Sequence, residues 1–306
     1  MRRRTFIQNS LSGILVTATT GFPYKAFVDD PALTRLTILH TNDVHSRIDP
    51  FPMDGGRNQG KAGVARRATL IDRIRASEKH VLLFDSGDIF QGTPYFNLFK
   101  GELEIKLMSK LGYDASTMGN HDFDAGIEGF HAQMKHASFP FIVSNYDFNN
   151  TLLKGKTFPY KIFEVDEIKV GVFGLGIKLD GLVPPDLFGD TVYHDPITTA
   201  NEHSSLLKND LGCDFVICLS HLGYKYKSVD LPSDVIVAEN SENIDLILGG
   251  HTHTFMRQPD RVLNKNAEPV IINQVGFGGI LLGQLQVVFE KNKKGRCVTC
   301  NNQFVN

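Results

Sequence analysis

The sequence contains no tryptophan, only four cysteines and almost no net charge, a formal −2 over 306 residues. Each shortage excludes something. Near-neutrality removes general electrostatic capture of nucleic acid, so no duplex partner is expected and any anion must be bound at a local site. The cysteines make no framework: Cys213 and Cys218 lie in or beside the apolar run "CDFVICLSH" and read as buried thiols. Cys297 and Cys300 form a lone C-x-x-C with no second pair or neighbouring histidine, a poor zinc motif that is compatible with a disulfide in an oxidising compartment. No stretch is apolar and long enough to span a bilayer, so no integral membrane span is expected. There is no internal repeat and no Pro- or Ser-rich linker, which argues for one domain. What is present, 42% hydrophobic residues with phenylalanine supplying most of the aromatic bulk, is ample for a core.

The first residues differ from the rest. "MRRRTFIQNSLSGILVTATTGF" places an arginine cluster before a mildly apolar stretch rich in Ser, Thr and Gly, the make-up of a cleavable export signal. Arg3-Arg4-Thr5-Phe6-Ile7 fits the twin-arginine pattern. Residues 1–31 are therefore assigned to an export signal and linker and residues 32–306 to the folded domain, with a periplasmic or extracellular destination.

Short apolar runs alternate with helical patterns beyond that point. Strands are predicted at 35–40, 80–84, 115–118, 139–144, 169–175, 214–220, 244–250 and 269–274, with a final strand in "GILLGQLQVVFEK". Helices are predicted near 62–76, 101–111, 126–136, 198–211 and 233–240. Such alternation implies an α/β domain with much parallel pairing.

Ligands of α/β sheets bind beyond the carboxyl ends of strands, and there the polar cargo collects. "TILH" leads to Asp43 and His45, "VLLF" to Asp88, and "ASTM" to Asn120, His121 and Asp124. "VICLS" leads to His221, and "DLILGG" to His251 and His253, two imidazoles one residue apart after a Gly-Gly exit. Four histidines, two aspartates and an asparagine suit Mn, Fe, Co or Zn better than magnesium or calcium, which prefer oxygen shells. Seven ligands exceed one four-coordinate zinc but suffice for two ions sharing a carboxylate. A pair about 3.5–4 Å apart can clamp a phosphoryl group. Two divalent ions against two aspartates leave positive charge for an anionic substrate. His40 is expected to pack or hydrogen-bond locally, and Asp85 to support the loop of Asp88. His80, His131, His136, His194 and His203 read as surface or satisfied residues, and Arg66-Arg67 as a solvated or packing helix face.

These ordered motifs resemble the calcineurin-like metallophosphoesterases. Within them, "LTILHTNDVHS", "GKAGVARRATLI", "DSGDIFQGTP", "MGNHDFD" and "LGGHTHT" are similar to the catalytic domain of bacterial periplasmic 5′-nucleotidases, from about residue 34 to 290. The resemblance implies a four-layer αββα sandwich of two mixed β-sheets flanked by helices. It implies that Asp43, His45 and His253 hold one divalent ion and Asn120, His221 and His251 a second, with Asp88 bridging. His121, with Asn120, would meet the substrate and act as acid or charge stabiliser, Asp124 would orient its ring, and metal-bound hydroxide would attack phosphorus in line. The expected substrate is a small phosphorylated molecule of nucleotide type. The resemblance also implies a C-terminal specificity domain, which residues 32–306 are not expected to include. That leaves a less selective phosphomonoesterase, pairing with a separately encoded C-terminal-domain protein, or action on another ester. The alternatives are a 2′,3′-cyclic nucleotide phosphodiesterase, a nucleotide-sugar hydrolase, an exported thiosulfohydrolase-like enzyme, or a non-catalytic metal-binding module.

Overall fold

Alternation of side chains along the strands sets the architecture. The computed structural model describes residues 33–228, 231–290 and 293–306, without side-chain surroundings for 293–298. The export signal assigned to residues 1–31 and the side chain of Cys297 lie outside the described residues.

Strands β1 (Leu33–Thr41), β2 (Val81–Asp85), β3 (Ala115–Ser116), β12 (Leu281–Glu290) and β13 (Lys293–Cys300) form one sheet in the order β13-β12-β1-β2-β3, with β14 (Gln303–Phe304) also on β12. A second sheet runs β10 (Asp260–Leu263), β11 (Pro269–Asn273), β9 (Leu246–Leu248), β8 (Phe215–Ser220), β6 (Ile168–Leu175), β5 (Tyr160–Val165). Both are mixed. β1, β2 and β3 are mutually parallel with β12 antiparallel to β1, and β6, β8, β9 and β11 are parallel with β5 and β10 antiparallel at the edges. A short ribbon pairs β4 (Tyr146–Asp147) with β7 (Val192–Tyr193).

In β8, Phe215, Ile217 and Leu219 face the first sheet, while Val216 and Cys218 face outward, as the two-residue period of a strand requires. Leu36, Ile38 and Phe84 meet them from the other side, so the two sheets share one apolar seam. Burying a side chain such as Phe84 or Phe215 there contributes roughly 1.5–3 kcal/mol. Helices α1 (Val64–Ser77), α3 (Glu102–Leu111) and α4 (Gly126–Met134) cover the outer face of the first sheet, burying Leu70, Ile71, Ile74, Ile105, Met108 and Phe130. Helices α6 (Pro196–Ser205) and α7 (Asp234–Glu239) cover the second. Two further short helices, α2 (Pro94–Phe99) and α5 (Pro185–Phe188), complete the set among the described residues. The result is the four-layer αββα sandwich that the motifs led us to expect. No helix among the described residues is long and apolar enough to cross a membrane.

Sequence and structure part at a few elements. Residues 139–144 make only isolated bridges, Phe141 with Ser116 and Ile142 with Phe158, because Pro140 interrupts the ladder. The helix expected over 198–211 ends at Ser205 and continues as a π-helical turn, Leu206–Asp210. β12 is not the final strand, since β13 and β14 follow it. Cys213 and Cys218 are buried free thiols, as expected, and Cys300 is free with its Sγ 3.3 Å from the Asn302 side-chain oxygen.

Candidate metal centre

Parallel register brings the candidate residues to one rim. Thr41 lies beside Asp85 and Asp85 beside Ser116, so the loops after β1, β2 and β3 emerge together with Asp43, His45, Asp88, Asn120 and His121. Leu219 lies beside Leu248, which does the same for His221, His251 and His253 in the second sheet. The two rims are stitched together. The His251 amide donates to both Asp43 oxygens at 3.0 Å, the Ser86 hydroxyl to the Leu248 carbonyl at 2.7 Å, and His221 Nδ1 to the Ser86 carbonyl at 2.6 Å. A Cβ on Gly250 would sit 2.8 Å from His221 Nδ1 and 3.0 Å from the Ser86 carbonyl, so the chain can pass this close only without a side chain.

All seven candidate ligands converge. Asp43, His45 and His253 form one group able to hold an ion, and Asp88, His221 and His251 another, each with ligand atoms within 4.8 Å of one another. In the first, His253 Nε2 is 3.3 Å from Asp43 Oδ1 and 3.0 Å from His45 Nε2. In the second, His221 Nε2 is 3.1 Å from Asp88 Oδ2. The groups abut: Asp88 Oδ2 is 3.8 Å from His45 Nε2, and Asp43 Oδ1 is 3.9 Å from His221 Nε2. Asn120 joins through its side-chain oxygen, 2.9 Å from His251 Nδ1.

Hydrogen bonding around the rings suits cations. His45 and His221 each point Nδ1 at a main-chain carbonyl, of Phe90 and Ser86, which leaves the Nε2 lone pairs turned inward. His221 Nε2 is buried with two carboxylates facing it, Asp88 Oδ2 at 3.1 Å and Asp43 Oδ1 at 3.9 Å. Two carboxylates converging on one buried ring nitrogen call for positive charge there, whether a proton or a metal ion. The titration behaviour expresses the same demand. Burial opposes charge on His221, yet Asp88 and Asp43 outweigh it and push the ring up to about 10. Burial would also raise Asp88, but His221, then His45 and His121, hold its carboxyl well below the usual range. Burial lowers His45, and burial with the His221 charge pulls His251 down to about 4, so both favour the neutral form that binds metal.

His121 and Asp124 also arrive here. A 3₁₀ turn, His121–Phe123, follows Asn120, the His121 amide donates to Asp88 Oδ1 at 2.8 Å, and the ring lies edge-on to His45 with centroids 5.3 Å apart. His121 Nδ1 is 2.8 Å from Asp124 Oδ2, and that hydrogen bond raises the ring's pKa. Asp85 supports the Asp88 loop as expected, accepting the Gly87 amide at 2.9 Å.

Several buried polar residues escaped the sequence reading. Asp122 accepts main-chain amides from both the Asp88 loop and Gly119. Asp234 accepts the Ser220 hydroxyl at 2.5 Å beneath His221, and Gln274 donates to the Gly250 carbonyl at 2.6 Å. Asp122 stands inside the quoted "MGNHDFD" stretch, wedged between His121 and Phe123, where the motif by itself assigns it no role. His40 packs, fully buried, as one half of its expectation had it, but its hydrogen bond is not local: Nε2 accepts from Asn273 Nδ2 of the opposite sheet at 2.7 Å. Arg66 is exposed, whereas Arg67 is buried. His203 stacks on Phe173, with centroids 6.3 Å apart.

A rim of paired mixed sheets that gathers such groups is the fold of a metallophosphoesterase. The chain belongs to the calcineurin-like phosphoesterase family, whose profile it matches over residues 36–255. Over 276 residues it is 36% identical to the snake venom 5′-nucleotidase of Crotalus adamanteus, covering 83% of this chain and 45% of that protein. The solved 5′-nucleotidase precursor from Thermus thermophilus superposes with a TM-score of 0.77 at 30% identity, over 89% of this chain and 54% of that one. The NAD nucleotidase of Haemophilus influenzae gives 0.77 at 28% identity, over 87% and 49%. The chain thus spans about half the length of these relatives.

Proposed function

We propose that residues 32–306 form the catalytic domain of a dinuclear-metal phosphomonoesterase of 5′-nucleotidase type. Asp43, His45 and His253 would hold one divalent ion and Asn120, His221 and His251 the other, with Asp88 serving both groups. Ions held there would supply Lewis acidity to a phosphoryl group and would lower the pKa of a water towards about 7. The chain's own groups do the rest. Asn120 and His121 contact the phosphoryl oxygens, His121 gives a proton to the departing alkoxide, and Asp124 keeps the ring turned and basic. The observation that carries this reading is the pair of abutting groups, with Asp88 Oδ2 within 3.8 Å of the His45 and His221 rings. A nucleotide substrate is favoured by the relatives, two named as 5′-nucleotidases and one as an NAD nucleotidase. Export by the twin-arginine route, supported by Arg3-Arg4 and the stretch after them, belongs to the same reading.

Metal analysis of the purified protein, with a panel of nucleoside monophosphates, 2′,3′-cyclic nucleotides, nucleotide sugars and p-nitrophenyl phosphate in Mn²⁺, tests the reading. Two ions per chain and preference for monophosphates are expected. His121→Ala should keep both ions while turnover falls about 10²–10⁴-fold. Undiminished turnover in that variant refutes the role of His121.

A further inference from the structure

Asp122 is fully buried, and its carboxylate accepts four main-chain amides. Oδ1 takes Ile89 at 2.9 Å and Phe90 at 3.2 Å, while Oδ2 takes Asp88 at 3.0 Å and Gly119 at 2.8 Å. Three of these amides are consecutive, 88 to 90, and they follow a turn in which Gly87 and Asp88 have φ of 87° and 57°. Successive N–H groups curled in this way make a concave anion cradle of the kind that elsewhere receives phosphate. Here the chain fills the cradle with its own side chain.

The consequence reaches the metal groups directly. The left-handed backbone of Asp88 is uncommon for a residue with a Cβ, and its amide is one of the four that Asp122 anchors. That backbone turns the Asp88 side chain so that Oδ1 accepts the His121 amide at 2.8 Å while Oδ2 faces His221 and His45. The same carboxylate ties down Gly119, next to Asn120. One internal anion therefore fixes both the loop carrying the shared ligand and the loop carrying Asn120 and His121.

Resting on the dinuclear reading above, we propose that Asp122 is a positioning residue for the metal pair, presenting Asp88 between the two groups by acting as the resident anion of a backbone cradle. Each of its oxygens receives two N–H donors, so an amide cannot replace it. Asp122→Asn turns an NH₂ against two donors whichever way it is flipped.

The test uses the full chain loaded with Mn²⁺, in wild type, Asp122→Asn and Asp122→Ala. Metal content and the spin-coupled Mn²⁺ pair signal in electron paramagnetic resonance are read, beside unfolding by urea. The wild type should bind two coupled ions. Asp122→Asn should lose about 10–100-fold in affinity for the pair and show uncoupled ions, while still unfolding cooperatively. Added formate should enter the emptied cradle of Asp122→Ala and restore the coupled signal, but should do nothing for Asp122→Asn, whose side chain blocks the space. If Asp122→Ala does not fold alone, formate-dependent refolding is the supporting result. A coupled pair of wild-type affinity in Asp122→Asn, or an Asp122→Ala protein indifferent to formate, overturns the inference and leaves the dinuclear reading standing. A wild type without a coupled pair overturns both.

Discussion

Five of the seven candidate ligands, Asp43, His45, Asp88, His251 and His253, hold their backbones in the left-handed region, with φ between 50° and 70°. Such conformations persist only where the surroundings over-determine them, and they gather at functional sites. The over-determination here is made of close backbone passages. A Cβ on Gly119 would lie 2.5 Å from the Asp88 amide nitrogen and 2.7 Å from His221 Cε1, and would strike the Asp88 carboxylate as well. Two of the three obstacles are main chain and a buried ring, which cannot swing aside as a free side-chain tip could. Gly119→Ala is therefore expected to cost about 1–3 kcal/mol in urea unfolding and to lose the metal pair by elemental analysis; full metal content in a variant of wild-type stability counts against the packing described. Residue types were legible before the structure, because imidazole and carboxylate after five strands announce a common purpose. The left-handed backbones and Asp122 were not. Positive φ at aspartate or histidine leaves no mark in composition, and an acid that bonds only to amides looks like any loop acid.

Strands carry the next layer of explanation, and β1 shows why some elements read easily. Its apolar residues are buried on both faces, so the run stands out. The edge strands β5 and β10 keep alternate or neighbouring residues open to solvent, and their mixed composition hid them. Within β1, His40 reaches across the seam to Asn273 of β11. Burial drives its pKa from the ordinary 6.5 down to about 3. Below 6.5 the unfolded chain takes up a proton that the folded chain refuses. Stability tied to the neutral ring is thus complete above about 6.5 and is lost progressively as pH falls towards 3, on the order of 5 kcal/mol in all. His40→Leu should weaken the metal-free protein near neutrality but flatten its acid limb. Urea titrations at a series of pH values, in chelator, would show the two stabilities converging towards acid; parallel profiles would contradict the assignment.

At the scale of the whole molecule, neither sheet owns a metal group. Asp43 and His45 leave the first sheet while His253 leaves the second; Asp88 leaves the first while His221 and His251 leave the second. Ions in these positions clamp one sheet to the other. At 100-fold over its dissociation constant each contributes about 2.7 kcal/mol, so chelation should lower Tm by roughly 10 °C or more. A scanning-calorimetry trace that ignores chelator would contradict the clamp. The α/β alternation was legible because the central strands are apolar runs, whereas the sandwich itself was implied only by the family resemblance. The polar stitching of the two rims was not legible, since it rests on contacts such as His251 with Asp43, far apart in the chain.

The order of strands carries a consequence for biosynthesis. β1 is the earliest strand described, yet one whole edge of it is paired with β12, from Leu33 against Glu290 to His40 against Gly283. A nascent chain emerging from the ribosome can complete neither that pairing nor the ring of donors until nearly all of it has been translated. Cation capture then becomes a last step of maturation, and a stalled or truncated polypeptide would hold no tight store of metal.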